Sequence, residues 1–155
     1  DRIDHLTTAF PEVRLKRFLE MRGADSGPWD RLCALPALWV GLLYDDDALN
    51  EAWALCKDWS EAEREALRRD VPRLGFKARI RGRTVGQLAR DVLAIAQDGL
   101  RRRRRLDKGE RDEARFLDIL HEIADSGRTP AEEKLELFRG RWNGSVDPAY
   151  QEFAY

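Results

Sequence analysis

The sequence has 155 residues, 28 Lys and Arg against 29 Asp and Glu, and a formal net charge of -1, which bounds it to one domain or part of one. At 43% hydrophobic with five Trp and six Phe it can bury a core, and although 37% of residues are charged, the near-cancelling signs exclude a globally basic nucleic-acid binder. No run of 18 apolar residues occurs, and no basic segment followed by an apolar stretch and cleavage site opens the chain, so neither a membrane span nor a signal peptide is expected and the cytoplasm is the default location.

From Val13 to Met21 the residues alternate in character, with Val13, Leu15, Arg17, Leu19 and Met21 on one face and Arg14, Lys16, Phe18, Glu20 and Arg22 on the other. That spacing predicts a strand with one apolar face. Gly23 to Asp30 is a loop by composition, with Ser26 and Asp30 as candidate caps for the next helix. Trp29 to Tyr44 is almost wholly apolar and predicts a buried helix, which Pro36 either kinks or reopens.

Successive helices come after it, each with its own start signal. Asp45, Asp46 and Asp47 lead a helix to about Lys57, with acid where a helix N-terminus favours it. Ser60 with Glu63 forms a capping box for a helix ending near Val71, before Pro72. Thr84 with Gln87 forms another, opening a helix that carries Leu88, Val92, Leu93, Ile95, Ala96 and Leu100. Glu110 to Asp125 reads as a helix stopped by Gly127, and Thr129, Pro130 and Glu132 start the next. Asn143-Gly144 makes a turn before the short aromatic tail that reaches Tyr155.

The expected fold class is α+β and predominantly α-helical, with one strand and about six helices. A lone strand must pair its ladder groups with something, and the partners are expected upstream. With a start at Asp1 rather than Met, this suggests a piece of a longer polypeptide.

Glu20 and Arg22 are the strongest candidates for chemistry. Period two puts them on one face, about 7 Å apart at their roots. A carboxylate beside a guanidinium at a strand end suits a nucleotide-phosphate site, the first binding a hard cation such as magnesium, the second gripping phosphate oxygens as a fork. A surface ion pair worth under about 1 kcal/mol is the commoner origin of Glu-x-Arg. Arg101 to Arg105 could bind nucleic acid or another anionic partner, making the chain a helical interaction module. Against that, Asp107, Glu110, Asp112 and Glu113 come at once after the run, and a solvated, locally neutralised surface is the simpler reading. Cys33 and Cys56 are too few for a disulfide framework and read as small reduced hydrophobes, while His5 and His121 stand apart from other metal-ligand types.

The strings DHLTTAFPEVRLKRFLEMRGADSGPW, CALPALWVGLLYD and SVDPAYQEFAY resemble, in order, the C-terminal part of glutamate-cysteine ligase of the plant and proteobacterial type. The resemblance covers essentially the whole chain. It implies a glutamine synthetase-like fold, a cupped antiparallel sheet surrounded by helices, of which this chain would hold one or two strands. Residues 1–30 would supply a strand and active-site loop and residues 31–155 a helical region. It also implies ATP-dependent joining of the glutamate side-chain carboxylate to the cysteine amine, the first step of glutathione synthesis.

Carried over by residue, the resemblance makes Glu20 a magnesium ligand and Arg22 a catalytic contact to ATP phosphate. Asp25 would orient Arg22, reach the metal through water, or merely cap the loop. Phe18 and Trp29 would wall the pocket for the cysteine side chain, or simply pack; Tyr often stands in relatives at Phe18, so no hydroxyl-dependent role is carried onto it. Disulfide control known in plant members finds no matching pair in Cys33 and Cys56. The implied partners are L-glutamate, L-cysteine, ATP and the missing N-terminal part of the enzyme, with neither membrane nor nucleic acid. The segment alone is expected to be inactive, because most of the positioned constellation would lie elsewhere. A related carboxylate-amine ligase with another acceptor amine would use the same Glu20 and Arg22.

Overall fold

The computed structural model describes residues 12–154. Strands β1 (Val13–Leu15) and β2 (Leu19–Met21) pair antiparallel, with Val13 opposite Met21, Arg14 opposite Glu20 and Leu15 opposite Leu19. The single strand expected over 13–21 is therefore a hairpin. Lys16, Arg17 and Phe18 form its turn, where the Lys16 amide donates to the Phe18 carbonyl at 2.9 Å. The alternation that suggested one strand persists because a three-residue turn keeps odd-numbered residues on one face of both arms. Each arm is the other's partner, which corrects the expectation that pairing needs upstream residues.

Helix α1 (Trp29–Leu43) begins after Pro28 without a side-chain cap, so Ser26 does not serve, and Asp30 lies inside the first turn, accepting from the Arg31 amide at 2.7 Å. The helix runs through Pro36. Helix α2 (Asp46–Cys56) is capped by Asp45, whose Oδ1 accepts from the Ala48 amide at 2.9 Å. Helix α3 (Glu61–Leu74) has the Ser60–Glu63 capping box and passes the expected stop at Val71. Pro72, which cannot donate to the carbonyl four residues before it, falls in the last turn, and Gly75 at φ 51° ends the helix.

A 3₁₀ turn over Gly75–Lys77 leads to a second hairpin, β3 (Arg79–Ile80) and β4 (Arg83–Thr84). Its two turn residues, Arg81 at φ 49° and Gly82 at φ 79°, both sit in the left-handed region, as a tight two-residue hairpin requires. Helix α4 (Val85–Arg103) starts from the Thr84–Gln87 capping box. The helix expected from Glu110 begins instead as a 3₁₀ segment, Glu113–Leu117, started by Asp112 and continued by α5 (Asp118–Ser126) to a left-handed Gly127. Helices α6 (Pro130–Arg139) and α7 (Asp147–Glu152) complete an α+β chain of seven helices and two small hairpins among the described residues.

The core lies where α1 and α4 cross, closed by the 3₁₀ segment. Ala37 and Leu42 of α1, Ala48 of α2, Ile95, Ala96 and Leu100 of α4, and Ala114 and Leu117 cluster there. Leu100 and Leu117 are its largest fully buried side chains, each stabilising the fold by roughly 1.5–3 kcal/mol. Small residues at the crossing let the two backbones meet at Gly41 and Gly99.

Candidate functional site

The first hairpin sets the surroundings of Glu20. Its register places Arg14 directly across, and Arg14 Nε donates to Glu20 Oε2 at 2.6 Å, with Lys16 Nζ 3.8 Å from the same oxygen. The Arg14 hydrogen bond holds the Glu20 carboxyl below its usual range; partial burial opposes this, and the charges of Arg14, Lys16 and Arg22 add to it. Glu20 is thus an anion set among three cations. Arg22 comes next on the same face, half-buried like Glu20, its amide donating to the Glu12 carbonyl at 2.8 Å. The structure brings Glu20 and Arg22 together as their spacing demands. It adds Arg14 and Lys16, which become visible only once the turn at 16–18 is known.

The other expected pocket residues separate. Asp25 lines a cleft of about 620 Å³ between the loop at Ala24 to Ser26 and helices α1, α5 and α6. Phe18 is 61% exposed with Lys16 Nζ 6.0 Å from its ring centre, and Trp29 is 78% exposed; neither lines that cleft. Among the described residues no three His, Cys, Asp or Glu side chains gather to hold a metal.

Three of the five arginines of the run face carboxylates, and of the acidic residues that come after the run only Glu113 is one of these partners. Arg102 donates from Nε and Nη2 to Asp45 Oδ1 at 2.9 and 2.7 Å, Arg101 lies 3.7 Å from Asp98, and Arg103 lies 3.7 Å from Glu113 and over the Tyr44 ring. Asp107 is held to about 2 by the amides of Arg111 and Gly109 and by the charges of Arg111 and Arg115. Cys33 and Cys56 are half-buried thiols without a disulfide, and Cys56 Sγ donates to the Ala52 carbonyl at 3.6 Å. His121 is half-buried and joins no cluster of metal-binding side chains, while His5 lies outside the described residues. No helix of the described residues is long and apolar enough to cross a membrane.

Comparison with known proteins extends the resemblance to almost every residue. The profile of glutamate-cysteine ligase family 2 (GCS2) matches residues 1–152. The chain is similar to the chloroplastic glutamate-cysteine ligases of Arabidopsis thaliana, at 55% identity over 152 residues, and of Brassica juncea, at 53%. Glutamate-cysteine ligase A of Oryza sativa subsp. indica is 51% identical over the same length. Each alignment covers 98% of this chain but only 28% of the Arabidopsis and Brassica proteins and 30% of the rice protein. All these relatives are named chloroplastic, which overturns the cytoplasmic expectation. That expectation leaned on a missing leader, a feature without weight in a chain spanning under a third of its relatives. With the profile spanning all but the last three residues, the chain belongs to glutamate-cysteine ligase family 2.

Proposed function

We propose that this chain forms part of the catalytic site of an enzyme that joins the side-chain carboxylate of L-glutamate to the amine of L-cysteine, using ATP. Family membership over residues 1–152 carries this reading, and the nearness of Arg22, whose charge helps to keep Glu20 ionised, supports it. A carboxylate is a poor electrophile. The glutamate side-chain oxygen would attack the terminal phosphorus of ATP, releasing ADP and forming an acyl phosphate; the cysteine nitrogen would then attack the acyl carbon and release phosphate. Both steps load negative charge onto phosphoryl oxygens, where positioned cations lower the barrier most. Arg22 would supply a guanidinium fork to those oxygens. Glu20, kept ionised by Arg14, would serve as one magnesium ligand, and the metal when bound would screen the phosphate charge. The hairpin would extend a larger antiparallel sheet whose other strands carry the remaining ligands.

The test is ATP-dependent ligation by the full-length protein with Glu20→Gln and Arg22→Met. Each substitution should lower kcat by about 100-fold or more, the scale of losing one positioned electrostatic contact. The 155-residue chain alone should show no turnover. Unchanged rates and magnesium dependence in Glu20→Gln would overturn the assignment of Glu20.

A further inference from the structure

Glu20 can serve its proposed role only if its carboxylate holds one orientation. A glutamate side chain standing on a strand turns freely around its side-chain bonds, and a contact that must first stop this motion is weaker for it. The first hairpin supplies a restraint from across the ladder. Arg14 stands directly opposite Glu20, and its Nε donates to Glu20 Oε2 at 2.6 Å, a bond between two full charges. Lys16 lies 3.8 Å from the same oxygen, too far for a hydrogen bond, with 46% of its side chain exposed against 29% for Arg14 and 31% for Glu20. Arg14 is thus the anchor and Lys16 a neighbouring charge. Exposed ion pairs stabilise a fold little, so the consequence of this pair lies in where it holds the carboxylate.

We infer that Arg14 is a positioning residue for ligation: it pins Glu20 through Oε2, fixes the plane of the carboxylate and leaves Oε1 as the oxygen that meets the ligand. The role rests on the ligation reading of Glu20 and adds to it a residue that itself touches neither substrate nor nucleotide. It also gives the register of the hairpin a task. A slip of one residue would put Arg14 and Glu20 on opposite faces of the ladder, and Glu20 would lose its hold.

Steady-state ligation by the full-length protein tests this by comparing the unsubstituted enzyme with Arg14→Met, Glu20→Gln and the double variant. Arg14→Met alone should lower kcat by about 10-fold, the scale of one hydrogen bond to a charged group. Added to Glu20→Gln it should cost less than about 2-fold, because a residue that acts only through the Glu20 carboxylate has nothing further to lose. A residue that merely braces the fold would cost the same in both backgrounds. Calorimetric affinity of the full-length protein for a non-hydrolysable ATP analogue with magnesium should follow the same pattern. Arg14→Lys, which keeps a charge and a donor at this strand position, should recover part of the loss; if Arg14→Met fails to fold, Arg14→Lys carries the two-background comparison in its place. Equal costs in the two backgrounds by either readout, a kcat untouched by Arg14→Met, or no recovery in Arg14→Lys each overturns the role of Arg14 while the ligation reading stands. A Glu20→Gln enzyme that keeps its rate overturns the ligation reading of Glu20, and the role of Arg14 with it.

Discussion

Gly41 and Gly99 touch backbone to backbone where α1 crosses α4: a Cβ placed on Gly99 would overlap the Gly41 carbonyl oxygen and lie 3.0 Å from Ala48 Cβ. A Cβ on Gly41 would overlap the Ala96 carbonyl oxygen and sit 2.8 Å from the Ala96 carbonyl carbon. The obstacles are helix backbones, which cannot swing aside as a side chain can. Gly99→Ala and Gly41→Ala should each destabilise the chain by about 2–3 kcal/mol, despite the helix propensity that alanine adds. Urea unfolding measures this. Gly23→Ala, whose new methyl would find only the Glu12 side chain at 3.8 Å, is the matched control and should be near neutral.

The capping boxes at Thr84 and Thr129 act at separate helix starts, with the Gln87 and Glu132 amides each 3.2 Å from the threonine hydroxyl. Thr84→Ala and Thr129→Ala should each cost about 1 kcal/mol. The double variant should show the sum, because the two boxes share no hydrogen-bond partner.

Acid should unfold the chain through a small set of carboxylates. Glu63 is lowered to about 2, chiefly by its hydrogen bond from Arg81 and then by the Ser60 amide; Asp107 is lowered to about 2 by the Arg111 and Gly109 amides. A carboxylate whose folded pKa lies below its unfolded one contributes stability that is present above the unfolded value and lost as pH falls toward the folded one. The loss should therefore begin near the ordinary carboxylate values, 4.5 for Glu63 and 3.8 for Asp107, and finish near 2. Thermal melts from pH 6 to pH 2 should fall across that window, and less steeply in Glu63→Gln and Asp107→Asn.

The end of α4 should bind nucleic acid poorly despite five consecutive arginines. Arg101, Arg102 and Arg103 already face Asp98, Asp45 and Glu113. Fluorescence anisotropy with labelled DNA at low salt should show weak binding and a shallow salt slope. A steep slope abolished by replacing Arg104 and Arg105 would revive an anionic partner for this corner.

Most helices were legible because their start signals are local. Ser60, Thr84 and Thr129 cap where their spacing to the next polar residue demands, and Asp45 caps at the head of an acidic run that marks a helix start. What escaped depends on the left-handed backbone or on tertiary context. Arg81 takes a positive φ that arginine rarely adopts, so Gly82 alone was a faint sign of the second hairpin. Three residues of turn between β1 and β2 hid inside an unbroken alternation. Glu20 and Arg22 were readable as a pair because period two is a backbone property. Arg14 was not readable as the partner of Glu20, because register across a hairpin appears only when the turn is placed.

One oxygen of Asp45 accepts from the Ala48 amide and from Arg102, joining the first turn of α2 to the last turn of α4. Helix ends ordinarily fray independently, each opening on its own timescale. Here the α4 end cannot open without stripping Asp45 of a donor, nor the α2 end without stripping Arg102 of its acceptor, so the two should exchange amide hydrogens as one cooperative unit, and a substitution at Arg102 should be felt at the Ala48 amide, across the 57 residues of sequence that separate Arg102 from its acceptor Asp45.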